Sequence, residues 1–244
     1  MSGGLMFGGG HFGSFGPVGG GGFIEVDAYV AGAWINLTSD TVSAAGLALH
    51  YGIDANGPTD VVASPGELQV TLNNMANNSA HLQGYYSPRN ANCLAGWGLG
   101  VPIRVVFTYS AVSYTKFYGK ITAIDPAPGK YATQRVLVTA TDVFNDFLEA
   151  DALKVTLQVN QTESQCIAAV LASLPSSAQP LAQSLDAGVD TFPLAFDNLA
   201  SGTKALPLIR DCALSSGGIA FVKGDGTFVF RNRHAKATVA SSAT

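Results

Sequence analysis

PGELQVTLNN, residues Pro65 to Asn74, is the stretch on which the reading of this chain turns. Leu68, Val70 and Leu72 alternate with Glu67, Gln69 and Thr71. Period-two alternation marks a strand with one face in a core and one in solvent, the habit of antiparallel sheets. Pro65-Gly66 reads as the turn before it, and an Asn-rich loop follows. A strand of any β-sandwich has this pattern, so the order of the neighbouring elements has to decide.

Upstream, Ile24, Val26, Ala28 and Val30 alternate with Glu25, Asp27 and Tyr29. Ala31-Gly32 reads as a tight turn, with Trp34 to Thr38 returning as the partner strand. A third strand covers Gly46 to Ile53, and the loop Asp54 to Ser64 carries Asn-Gly-Pro and Ser-Pro-Gly turn chemistry. Downstream lies a long irregular stretch, Asn73 to Gly100, rich in Asn and holding Tyr85, Tyr86 and Trp97. A loop of that length in a compact domain has a job or a partner. Strands follow at Val101 to Phe107, Tyr114 to Ile124 and Arg135 to Thr141, with a turn at Pro126 to Gly129. That makes about seven strands at the spacing of a barrel or sandwich.

The pattern then changes. Asp142 is placed to cap a short helix, Val143 to Leu148, and Leu153 to Val159 alternates as another strand. Thr162 and Gln165 fit a capping box, and Ile167, Val170, Leu171 and Leu174 recur at helical spacing up to Pro175. A second helix starts near Ser201 to Thr203 and runs to about Leu214, with Leu206, Ile209 and Ala213 on its buried face. Ser216-Gly217-Gly218 stops it, and a hairpin pairs Ile219 to Val222 with Thr227 to Arg231. The fold class expected is therefore α+β and β-rich. An antiparallel barrel or sandwich domain (residues 23–148) precedes a smaller α+β domain with two helices (residues 149–234). A Gly-rich arm (residues 1–22) and an Ala/Ser/Thr-rich tail (residues 235–244) flank them.

Composition narrows the function classes. Charged residues are 12% of the 244, while hydrophobic residues are 47%. The charged share is about half the usual one, which fits a surface covered by neighbours in an assembly; a neutral Gly-, Ser- and Thr-rich surface gives the same number. The net charge is −4 with no basic run, so the electrostatic footprint of specific nucleic-acid binding is missing. No apolar run reaches the length of a membrane span and no secretory signal pattern opens the chain. Cys93, Cys166 and Cys212 are far apart, and the latter two read as small core residues.

A search for chemistry returns nothing catalytic. His11, His50, His81 and His234 have no paired-ligand spacing, and no Gly-x-Ser-x-Gly elbow is present. The Gly-rich arm lacks the Gly-Lys-Ser/Thr of a phosphate loop, and Asp225 within Gly224-Asp225-Gly226 reads as a hairpin turn rather than a calcium loop. No enzyme, cofactor or metal site is expected. Six aromatic residues are candidate interface anchors: Phe7, Phe12 and Phe15 of the arm, and Tyr85, Tyr86 and Trp97 of the long loop. The loop aromatics also suit a sugar-binding platform. The arm alone is expected to be disordered unless its phenylalanines dock on a neighbour.

In order along the chain, several segments resemble the hub (tail-tip) proteins of tailed-phage baseplates. Trp34-Ile35-Asn36-Leu37 resembles the opening hairpin, and Ser64 to Asn74 the small-turn, strand, Asn segment. Leu99-Gly100-Val101-Pro102-Ile103-Arg104-Val105 is similar to the Gly-x-Pro-Val-Arg-Val strand, and Phe117-Tyr118-Gly119-Lys120-Ile121 to the Phe-x-Gly strand. Val136 to Asp142 resembles the strand ending in Ala-x-Asp, and the second helix, Gly217-Gly218 and the Gly-Asp-Gly hairpin ending in Phe230-Arg231 complete the series. The resemblance spans roughly Phe23 to Arg233; the Gly-rich arm is not part of it, and many members continue into further domains. It implies a virion structural protein without catalysis, assembled in the host cytoplasm into a threefold ring at the tail tip. Such a homotrimer joins the tail tube to a central spike or fibre. Its partners are a distal tail or tube protein, the tape measure and the spike or fibre protein, and DNA passes through the channel. Two alternatives stay open: a distal tail ring protein, which shares the opening β domain, and a carbohydrate- or receptor-binding β module.

Overall fold

In the computed structural model the central alternation is a strand longer than the sequence pattern alone marks. The structure describes residues 22–42, 46–53, 60–127, 129, 133–150, 155–200 and 202–235. Seven strands form one antiparallel sheet: β1 (Phe23–Val30), β2 (Ala33–Asn36), β3 (Leu47–Gly52), β4 (Ser64–Asn73), β5 (Pro102–Tyr109), β6 (Val112–Ala127) and β7 (Arg135–Thr141). Their order is β2-β1-β5-β6-β7-β4-β3. Leu68, Val70 and Leu72 of β4 are fully buried while Gln69 is exposed. Pro65-Gly66 is not the turn expected; both lie inside β4, where the Gly66 carbonyl accepts the Asp142 N–H at 3.0 Å. Pro126 likewise lies in β6 and not in a turn.

The sheet curls around one core, in which Val26, Ala28, Ile103, Val105, Val136, Val138 and the β4 leucines meet. Residues 37–42 tie its two sides together: Leu37 N–H donates to Val26 O at 2.7 Å, and Val42 N–H donates to Thr71 O at 2.8 Å. The tight turn at Ala31-Gly32 is present, both residues having positive φ, as the right-handed strand twist prefers. Gly119 marks a close approach. A Cβ there would fall 2.3 Å from Thr141 O and 2.7 Å from the Phe117 ring, whose edge lies under the strand. Gly119→Ala is therefore expected to cost about 1–3 kcal/mol, since neither backbone oxygen nor buried ring can retreat cheaply. Thermal denaturation checks this, and an unchanged midpoint would contradict the packing.

Two compact units share the chain. Of the described residues, one unit holds those up to His50 together with those of Gly66–Asp142; the other holds those of Tyr51–Pro65 and those from Val143 on. The division departs from the expected boundary at 148, because α1 (Val143–Glu149) buries Phe144 and Phe147 against Phe228 at ring-centroid distances of 5.9 and 5.8 Å. The segment read as a plain loop before β4 also supplies the second unit. Val61, Val62 and Ala63 are buried there, with Ala63 N–H donating to Ala220 O and Ala220 N–H to Val61 O, both at 2.9 Å.

In the second unit β8 (Gln158–Thr162) pairs with β10 (Thr191–Ala195), and β11 (Ile219–Val222), β12 (Thr227–Arg231) and β9 (Ala182–Leu185) form a three-stranded sheet. The strand expected over Leu153 to Val159 sits further on, at β8; residues 151–154 lie outside the described residues and 155–157 are not strand. α2 (Glu163–Ser173) begins at Thr162, whose N–H donates to Gln165 Oε1 at 2.8 Å, the reciprocal half of a capping box. Cys166, Ile167, Val170 and Leu171 are its fully buried face. α3 (Ala205–Ser216) begins a little later than expected and ends at Gly217, φ 68°, with Gly218 N–H reaching back to Ala213 O. Glu163 is wholly buried, yet its carboxylate accepts the Val189 and Asp190 N–H groups at 2.7 and 2.9 Å. It thus satisfies a loop from the first turn of a helix, where negative charge is favoured.

Candidate functional site

The long loop, residues 74–100, is where aromatic anchors were expected. Its folding starts at Asn74, which is buried: Oδ1 accepts Tyr86 N–H at 2.9 Å and Nδ2 donates to Ser87 Oγ at 2.7 Å. Tyr86 then turns inward, and its hydroxyl donates to Asp40 Oδ2. Asp40 is itself buried and accepts Ser79 N–H and Ser79 Oγ at 2.7 and 2.6 Å. Burial first, and then the Asp40 carboxylate, push the Tyr86 phenol far above its ordinary value. Trp97 completes the wall, its indole N–H donating to Tyr86 O at 3.0 Å with the two rings 5.3 Å apart.

This corrects the assignment of Tyr86 and Trp97 as interface or sugar-platform anchors. They are 1% and 6% exposed and belong to the core of their own unit. Tyr85 is half-buried with its ring 5.1 Å from Tyr86, so it supports the same cluster. Phe7, Phe12 and Phe15 lie outside the described residues. Asp225 accepts Thr227 N–H at 2.9 Å within the hairpin, as a turn residue does.

An exposed aromatic cluster occurs elsewhere, on the outer face of the seven-stranded sheet. Register puts it there: Tyr29 stands opposite Trp34, Asp27 opposite Arg104, and Arg104 opposite Tyr118. Directly paired residues share a face. The Arg104 guanidinium sits 4.2 Å from the Trp34 ring centroid, and its Nε is 3.0 Å from Asp27 Oδ2. Tyr29 and Tyr118 flank Trp34 at 5.3 and 6.3 Å. Burial raises the Tyr118 phenol, and the nearby Arg104 charge offsets part of that. Tyr29 and Trp34 remain 42% and 37% exposed, so an ion pair and a cation–π contact hold an aromatic surface open to solvent. The turn between β5 and β6 carries a second one, with Tyr109, Val112 and Tyr114 all about half exposed. In the other unit Leu194 faces Val159 across the β8–β10 ribbon, both exposed.

The two buried cysteines are not poised as nucleophiles. Burial pushes the Cys212 thiol up to about 12 and raises Cys166, with Cys166 and Asp211 adding to the first and Glu163 to the second. A thiol so poised stays protonated and inert at neutral pH. Among the described residues no group of three His, Cys, Asp or Glu side chains gathers as a metal site.

This pairing of a curled seven-stranded antiparallel sheet with an α+β unit is similar in fold to solved phage tail proteins. The 43 kDa tail protein of prophage MuSo2 from Shewanella oneidensis matches 86% of this chain with a TM-score of 0.54 at 11% identity. The tail protein from Neisseria meningitidis MC58 matches 85% with a TM-score of 0.52 at 12% identity. The chain spans about half the length of each, 55% and 50% respectively. No protein-family model and no curated protein matches the sequence.

Proposed function

We propose that this chain is a non-catalytic structural component of a phage tail, a hub ring at the tail tip between the tube and a central spike or fibre. The observation that carries the proposal is the fold shared across 86% of the chain with a prophage tail protein. The low charge content and the exposed aromatic surfaces support an assembled state, because Tyr, Trp and Arg dominate the binding energy of protein interfaces. The helices α2 and α3, stacked on one another in the second unit, favour a hub over a distal tail ring protein. A closed ring of three copies fits this reading, with the distal tail or tube protein, the tape measure and the spike or fibre as its partners.

Trp34 is the expected hot spot of the sheet face. Trp34→Ala is predicted to leave the isolated chain folded and to weaken its assembly into tails by about thirtyfold, the effect of losing about 2 kcal/mol at an interface anchor. Quantifying the chain in purified particles against the free pool checks this. Wild-type incorporation of the variant would remove the sheet face from the assembly surface.

A further inference from the structure

The long loop has a second side. Where it meets the far ends of β6 and β7 it borders an open recess of about 350 Å³, within the ~300–1,000 Å³ range of small-molecule sites. Besides the buried Asn74, four amide residues line it: Gln83, Asn90, Asn92 and Gln134. They hold one another in place. Gln83 Nε2 donates to Gln134 Oε1 at 2.7 Å, Asn92 N–H donates to Asn90 Oδ1 at 2.9 Å, and Asn92 Nδ2 donates to Gln83 O at 3.0 Å. The buried Asn74 fixes the floor through Tyr86 and Ser87. Gly84, φ +82°, lets the Asn90 amide lie directly against the backbone, where a Cβ would collide with it.

This bonding uses one end of each amide and leaves the other unpartnered among the described residues: Gln83 Oε1, Asn90 Nδ2, Asn92 Oδ1 and Gln134 Nε2. Two free donors and two free acceptors thus line one recess, and turning any amide over preserves a donor and an acceptor on each side chain. Among the described lining residues none is charged. Among the described lining residues, then, anionic groups find no counter-charge and cationic groups no carboxylate. Hydroxyl groups both donate and accept, so neighbouring hydroxyls on one ring match a set of amides that offers both donors and acceptors. Pro126 and Ala127 add a small apolar wall for ring C–H groups.

We propose that this recess binds a neutral, hydroxyl-rich ligand, one or two sugar rings of a glycan. The site stands on its own geometry and does not rest on the tail reading, so either can fail while the other holds. The experiment is a titration of the full chain, by saturation-transfer NMR, with methyl glycosides of glucose, galactose and N-acetylglucosamine and with their neutral disaccharides. A charged sugar, N-acetylneuraminic acid, and an uncharged tripeptide serve as the contrasting probes. At least one neutral sugar is expected to saturate in the millimolar range. Gln83→Ala and Gln134→Ala, each an outward amide removed without touching the core, are expected to weaken it about fivefold, the net loss of one hydrogen bond. Their melting temperatures report whether folding is intact. Absence of saturation by every neutral sugar, saturation untouched by both variants, or preference for the anionic sugar or the peptide would each overturn the proposal.

Discussion

Ile167→Asp is expected to destabilise the α+β unit by about 3–5 kcal/mol, a large share of the roughly 5–15 kcal/mol that holds an ordinary domain folded. Ile167 is fully buried on α2 between Cys166, Val170 and Leu171. A carboxylate there loses its water. The nearest charged group within the helix is Glu163, which is itself buried and already engaged with the Val189 and Asp190 N–H groups. The new charge would gain no partner from it and would meet one of its own sign. Denaturant titration of the full chain is the check. Loss of the helical signal at lower denaturant with the sheet signal retained is the expected pattern. An unchanged midpoint would mean that the face of α2 read from helical spacing is not the buried one.

Asp40→Ala is expected to cost about 2–4 kcal/mol in the sheet unit. The carboxylate accepts two hydrogen bonds from Ser79 and one from Tyr86. Removing it leaves the buried Tyr86 hydroxyl without an acceptor, which costs about 1–3 kcal/mol, and also removes the two bonds from Ser79, which is exposed and turns to water. Tyr86→Phe removes only the hydroxyl and leaves Ser79 bonded, so it should cost about 1–2 kcal/mol, the loss of one charge-assisted bond. The pair of midpoints tests whether residues 74–100 form a folded wall. Equal and negligible effects would show the loop to be independent of the sheet.

Those two predictions rest on parts of the fold that differed in how plainly the sequence announced them. Ile167 was legible because a helix repeats its buried face every three or four residues, and Thr162 with Gln165 marks the start. The strands β1, β4, β5 and β7 were legible by alternation, for the same local reason. Asp40 carried no such mark. Its partners lie 39 and 46 residues away, and no local period links a short helical turn to an Asn-rich loop. Tyr86 and Trp97 were misplaced for that reason: an aromatic residue in an irregular loop looks exposed until the tertiary acceptors of its polar atoms are known.

The same limit hid other elements. β9, Ala-Gln-Ser-Leu, has no apolar alternation, and its parallel pairing with β12 joins residues more than forty apart in sequence. Val61 to Ala63 is too short to read as a strand, though three small apolar residues in a row between turn residues were a signal for burial. On the sheet face, the hairpin that places Tyr29 beside Trp34 could be read from Ala31-Gly32. The arrival of Arg104 over the Trp34 ring could not, because it depends on the pairing of β1 with β5 across 77 residues. The amide recess likewise needs Gln134 brought to Gln83 across 51 residues.

The most direct test of the tail assignment is a cryo-electron reconstruction of the assembled particle, with an epitope tag on this chain to locate it. The account predicts three copies in a closed ring on the tail axis, between the tube and the central spike or fibre, with Trp34 and Tyr29 buried against a neighbouring chain. A chain absent from purified tails, or carried off-axis as a peripheral appendage, would contradict it.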